Sequence, residues 1–222
     1  MEEDYLEGLI MASDRISPKL RENAYIEMCH GITVSNLAVA LAQELGETQE
    51  FCHNITVAGL LHDLGKLRLV KYLYSDRRET LAIERMKYVR MHPTHSYHAL
   101  CRENYPMEIA KAVYSHHENY DGSGYPDNLK GEQIPWMARI LRTCDVFSAL
   151  TSDRSYRRAF DKQTAVEIMI DEVADYDMKI FLAFQRLLHS DQFQGLDQLR
   201  TVITPLQKEH LGMFIKEAES ID

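Results

Sequence analysis

The chain has 222 residues, 45% hydrophobic and 27% charged, with a formal net charge of -9. That length suits one large domain, or a domain with a small appendage, with enough apolar residues to bury a core. The acidic balance argues against binding to a nucleic acid polymer, and no run approaches the ~20 apolar residues of a membrane span.

The start, Met1-Glu2-Glu3-Asp4, lacks the basic-then-apolar order of a signal peptide. Cys29, Cys52, Cys101 and Cys144 are scattered singly through helical patterns, as reduced thiols in a cytoplasmic protein are. Asp4 to Ile16 reads as a short helix packed on the domain or as a docking segment for a signalling partner. Residues 20–45 place Val34, Leu37, Leu41 and Leu45 at helical spacing and stop at Gly46. A second helix covers 49–64 and ends at Gly65. A third, 79–91, breaks at His92-Pro93 because the residue before proline is pushed out of the α region.

Helices at 93–104 and 107–117 follow, with Pro106 between them. After a loop rich in glycine and proline, Pro135 opens a helix over 136–151. Helices at 162–173, 177–190 and 204–219 complete the chain. Strand-type alternation is absent, so the expected fold class is all-α. The expected division is a short N-terminal segment 1–19, a catalytic domain 20–190 and a C-terminal helical extension 191–222, which caps the domain through Leu196, Leu199, Val202 and Ile203.

Chemistry concentrates in the middle of the chain. His116-His117-Glu118-Asn119-Tyr120-Asp121-Gly122-Ser123-Gly124-Tyr125-Pro126 carries two adjacent imidazoles into dense turn chemistry. Adjacent helical residues point about 100° apart, so both histidines can serve one site only near a helix end. His62-Asp63-Leu64-Gly65-Lys66 closes the second helix, and Asp63 follows the apolar run from Val57 to Leu61, where a carboxylate needs a partner. Alone, this pair also fits a helix-end histidine bonded to an acid. Asp145 sits in a largely apolar helix, where the alternative to a site role is an ion pair with Arg139 or Arg142. His92 lies at a helix break, with His95 and His98 as competitors. His30 lies mid-helix beside Gly31, where a core histidine is the plainer reading.

Imidazoles and carboxylates without a cysteine pair suit iron, manganese or zinc rather than a structural cysteine–zinc site. Five histidines and two aspartates are enough for two metals sharing a carboxylate, an arrangement that clamps the oxygens of a phosphoryl displacement.

In order and spacing, His30, His62-Asp63, Lys66, His92, His116-His117, Asp121 to Pro126 and Asp145 resemble the HD-GYP subgroup of the HD phosphohydrolase superfamily. The resemblance runs from about residue 23 to about 170. It implies an HD-domain-like helical bundle with a long Gly-Tyr-Pro loop. The activity it implies is hydrolysis of cyclic di-GMP to pGpG and GMP by a metal-bridging hydroxide. The implied metal ligands are His30, His62, Asp63, His92, His116, His117 and Asp145. They would hold two divalent ions, iron or manganese first, with zinc, nickel or magnesium as alternatives. Asp63 would bridge them, Lys66 would sit by the scissile phosphate, and Arg154 and Arg157 would hold the substrate's phosphates. Tyr125 reads as a packing residue.

Departures from the family pattern bear on substrate preference. Ile26 stands where three-metal members carry a glutamate, with Glu27 beside it. Ser148 replaces an acid, Ser96 a glycine, Ser155 a proline, and Leu73 to Arg78 a lysine-proline-glycine turn. The alternatives are a catalytically weak cyclic dinucleotide receptor and a phosphohydrolase for another nucleotide such as cyclic GMP-AMP.

Overall fold

The computed structural model describes residues 2–70, 87–153, 157–190, 193 and 195–221. The regular elements among them are helices, as the all-α expectation requires, and no helix among them is long and apolar enough to cross a membrane.

Helix α1 (Glu2–Met11) lies against α2 (Pro18–Glu44), the spine of the fold. At 27 residues, α2 extends about 40 Å, and Pro18 occupies a first-turn position where a missing N–H costs nothing. Leu6, Ile10 and Ile16 are buried, so the N-terminal segment is packed on the domain. In α3 (Gln49–Leu61), Thr48 caps the start by accepting a hydrogen bond from the Phe51 amide at 3.1 Å. Helices α2 and α3 cross almost backbone to backbone. A Cβ placed on Gly31 would stand 2.2 Å from the Leu60 carbonyl oxygen, so only glycine permits this approach. The crossing sets His30 beside His62.

The second helix ends earlier than its periodicity predicts. It stops at Leu61 and resumes as a 3-10 turn over Leu64–Leu69, with Asp63 at φ -99° and ψ 6° between them. The expected helix over 79–91 and the substituted turn at 73–78 fall largely outside the described residues. Helices α4 (His92–Arg102), α5 (Met107–Tyr114) and α6 (Trp136–Leu150) pack in succession, and α6 returns to α2. Helix α5 ends at Tyr114 rather than 117, which leaves His116 and His117 on the turn beyond it.

Helices α7 (Lys162–Asp171) and α8 (Met178–His189) lie against α6, and α8 also reaches α2. The C-terminal stretch is two helices, α9 (Leu196–Thr201) and α10 (Pro205–Glu219), because Thr204 and Gln207 form a capping box with Pro205 at the first turn. Val202, expected inside, is 42% exposed at this break. Leu37, Leu60, Leu61 and Leu64 share one continuous core with Phe147, Phe184 and Phe214. Each such side chain contributes about 1.5–3 kcal/mol by burial, so α8 and α10 stabilise the wall that carries the site.

Candidate metal centre

Seven side chains from separated parts of the chain converge in two groups. Asp63, His92, His116 and His117 form one; His30, His62, Asp63 and Asp145 form the other. Within each group the donor atoms lie within 4.8 Å of one another. Asp63 belongs to both. Its Oδ1 lies 3.0 Å from His92 Nε2, and its Oδ2 lies 3.1 Å from His62 Nε2 and 3.5 Å from His30 Nε2. Asp145 Oδ1 is 2.9 Å from His30 Nε2.

Backbone geometry delivers these groups. The break after α3 turns His62 and Asp63 inward together. The following glycine lets the 3-10 turn lie against α4: a Cβ on Gly65 would meet the His92 carbonyl oxygen at 2.3 Å. The Gly65 amide donates to Ser96 Oγ at 2.8 Å, so Ser96 makes use of its departure from glycine. Arg139 pairs with Asp177, and Arg142 with Asn119 and Asp175. Asp145 is therefore left facing the imidazoles rather than either arginine. His95 and His98 join neither group.

The donor set fits divalent cations. Nδ1 of His62, His92 and His116 donates to the carbonyl oxygens of Gly59, Val89 and Val113 at 2.8, 2.6 and 2.5 Å. A carbonyl can only accept, so Nδ1 carries the hydrogen on each ring and Nε2 is the nitrogen turned inward, the one a metal ion would use once it is free of a proton. His92 Nε2 stands 3.2 Å from His116 Nε2 and 3.1 Å from His117 Nε2, so three ring nitrogens crowd one point, where a shared proton or a cation must lie between them. His62 Nε2 and Asp63 Oδ1 are buried without a hydrogen-bond partner, a costly state that coordination relieves.

The electrostatics agree. Burial, with His62 and His92 nearby, lowers the His116 pKa to about 3, and burial with His116 holds His117 well below the usual imidazole value. Both are neutral, the form that coordinates metal. Burial opposes charge on His62, yet Asp63 and Asp145 raise its pKa to about 10. Burial likewise opposes ionisation of Asp63 and Asp145, but the imidazoles, with Lys66 beside Asp63, hold both well below the usual carboxylate range. Lys66 contacts Asp63 Oδ2 and lies 3.5 Å from Glu27 Oε2. Burial is outweighed by these acids, and the ammonium is retained.

The Gly-Tyr-Pro loop acts as a wall. Tyr125 stacks on His117, ring centroids 4.8 Å apart at 24°, and its amide donates to the His117 carbonyl at 3.1 Å. Glu118 is buried and accepts from the Asp127 and Leu129 amides at 2.7 and 3.0 Å. Sequence reading gave no task to Glu118, although a glutamate leading a turn-rich loop is a signal for such a clamp. Ser148 Oγ lies 3.3 Å from His30 Nδ1, a hydroxyl in the position of the usual acid.

One expected phosphate ligand has another use. Arg157 donates to the carbonyls of Leu150 and Arg158 from one terminal nitrogen and of Ala149 from the other, each at 2.9 Å. Its guanidinium lies 4.4 Å from the Phe160 ring centroid. Carbonyls at the end of α6, with that of Arg158, have claimed it. Arg154, with Ser155 and Tyr156, lies outside the described residues.

A family model of the HD domain matches residues 7–180. The chain is 33% identical over 157 residues to a cyclic di-GMP phosphodiesterase of Pseudomonas aeruginosa, covering 70% of this chain and 37% of that protein. It is 34% identical over 150 residues to 3'3'-cGAMP-specific phosphodiesterase 1 of Vibrio cholerae, covering 65% of this chain and 33% of that one. The chain thus spans roughly a third of the length of these curated relatives. The solved structure of a cyclic GMP-AMP-specific phosphodiesterase of Vibrio cholerae matches with a TM-score of 0.62 at 17% identity, covering 100% of this chain and 61% of that one. That likeness bears on the fold alone. With the His62-Asp63 pair, the converging imidazoles and the Gly-Tyr-Pro loop all inside the matched span, the chain belongs to the HD domain family, in its HD-GYP subgroup.

Proposed function

We propose that this chain is a metal-dependent phosphodiesterase unit that opens cyclic di-GMP by adding water across a P–O3' bond, leaving a 5'-phosphate and a 3'-hydroxyl. The observation that carries the reading is Asp63, with one carboxylate oxygen toward each donor group and Lys66 alongside. In it, His92, His116, His117 and Asp63 hold one divalent ion, and His30, His62, Asp145 and Asp63 hold a second. Iron or manganese is the first choice for these donors, with zinc, nickel or magnesium as alternatives. Bound cations supply Lewis-acid polarisation of a phosphoryl oxygen and acidify water.

The chain's own residues do the remainder. Lys66 places a permanent ammonium beside the shared carboxylate, where negative charge grows as the P–O bond breaks. The backbone carbonyls at Gly59, Val89 and Val113 fix the imidazole tautomers. Tyr125 covers His117 and excludes water from that side. Arg154 remains the proposed grip on a substrate phosphate. Residues 20–190 form the proposed catalytic domain, with 1–19 and 191–222 added to it.

The test joins metal analysis with chromatography of cyclic di-GMP incubated with the metal-loaded chain. Appearance of pGpG or GMP is expected. Tight binding without turnover identifies a receptor and overturns the enzymatic reading. A second substrate, cyclic GMP-AMP, is favoured by the relative of Vibrio cholerae specific for it, and preferential turnover of that nucleotide would reassign the substrate.

A further inference from the structure

A cyclic dinucleotide carries two phosphates, and the donor groups with Lys66 account for only one. The second needs cations at the rim of the site, where Arg154 is already proposed as one grip on a substrate phosphate. Arg139 and Arg142 are committed to Asp177 and Asp175, and Arg157 to the end of α6. Arg90 is placed differently. It lies two residues before His92, with its guanidinium carbon 5.1 Å from the centroid of the Tyr125 ring, which itself stacks on His117. The guanidinium is thus one aromatic ring out from a proposed metal ligand. Arg90 is exposed, and among the described residues it has no carboxylate or hydrogen-bond partner.

We infer that Arg90 is a binding residue for the non-scissile phosphate of the cyclic dinucleotide. A guanidinium held over the Tyr125 ring by cation–π attraction, exposed and without another partner among the described residues, has N–H donors free for a bidentate grip on phosphate oxygens. The ring contact holds the cation at the mouth, where it adds affinity without disturbing the buried donors. Tyr125, already a wall for His117, gains a second use as the platform for the clamp. The inference rests on the phosphodiesterase reading and assigns how that site recognises a substrate with two phosphates.

The experiment compares wild type with Arg90→Gln and Arg90→Lys in the metal-loaded full chain. Three measurements are made: metal content, steady-state kinetics, and anisotropy of fluorescent cyclic di-GMP. Losing a charge-assisted bidentate contact should raise KM and weaken binding roughly 10- to 100-fold in Arg90→Gln. Metal content and kcat should hold, and Arg90→Lys should recover part of the loss. Hydrolysis of bis(4-nitrophenyl) phosphate, which has a single phosphate, should be unchanged. Unchanged KM and affinity overturn the inference. So does metal loss or an equal loss on both substrates, which makes Arg90 a prop for Tyr125 and His117. Wild type that binds the dinucleotide without turning it over defeats the phosphodiesterase reading, while the affinity comparison still decides the role of Arg90.

Discussion

The Glu27 carboxylate reaches within 3.5 Å of the Lys66 ammonium, which also contacts Asp63. Lys66 is therefore held between two acids, one of them shared by both donor groups. Glu27 follows Ile26, the position that the family resemblance assigns to a glutamate in three-metal members, and it belongs to neither donor group. Glu27→Gln should leave metal content unchanged and lower kcat roughly 3- to 10-fold, the scale of one partly buried ion pair. In a Lys66→Met background the same substitution should have little further effect, because its action runs through the ammonium. Loss of metal from Glu27→Gln would instead make Glu27 a ligand.

Asp63 gives one oxygen to each group, so its removal strikes both. Asp63→Ala should take metal to background, whereas His117→Ala should remove about half by deleting a donor from one group. Mass spectrometric metal analysis of dialysed protein distinguishes the two. Full metal retention by Asp63→Ala would end the bridging assignment. Lys66→Ala should keep its metal and turn over slowly.

Five of the seven proposed ligands are legible in sequence because helix breaks deliver them, whereas His30 and Asp145 lie within helices. His62-Asp63 precedes Gly65, His92 precedes Pro93, and His116-His117 follows the end of α5, so each break is written in glycine, proline or turn chemistry. What sequence could not show were side chains whose partners come from remote elements. Glu27 and Lys66 are 39 residues apart, and Ser148 and His30 are 118 apart. Arg157 shows the opposite failure. An arginine after a helix serves equally as a phosphate ligand or as a cap for the last carbonyls, and only geometry separates the two. The end of α3 falls short of its apolar periodicity for a related reason: Leu64 keeps helical spacing while the backbone has changed to a 3-10 turn.

Metal-free protein should be most stable near neutral pH. The His62 pKa, raised to about 10 in the fold, contributes stability that is complete below the unfolded value of about 6.5 and lost as pH rises toward 10. His116 and His117 act oppositely, since burial lowers their values in the fold. Below about pH 6.5 the unfolded chain binds protons that the fold refuses, and stability falls with pH. Asp63 and Asp145, held low, add to that loss below about pH 4. Thermal unfolding of chelator-treated protein should therefore peak near pH 6.5–7. The alkaline limb should approach about 1.4 kcal/mol per pH unit for the one proton on His62. A flat profile from pH 7 to 9.5 would show that His62 holds no such proton.

Glu217 of α10 is 2% exposed, and two arginines reach its carboxylate. Arg68 lies in the 3-10 turn, two residues beyond Lys66, and Arg102 ends α4, the helix that His92 begins. The C-terminal helix is thereby tied to both elements that flank Asp63. Replacing Glu217 with alanine leaves two cations against a buried face, and breaking a buried pair from one side costs about 3–5 kcal/mol. With Arg102 half-exposed, a loss nearer 2–3 kcal/mol is expected. Denaturant unfolding of the metal-loaded chain should show a lower midpoint at unchanged slope. A chain ending at residue 190 should be less stable still, because it also forfeits the buried Leu211 and Phe214. Unchanged stability in both variants would make residues 191–222 an independent appendage rather than part of the wall that holds the site.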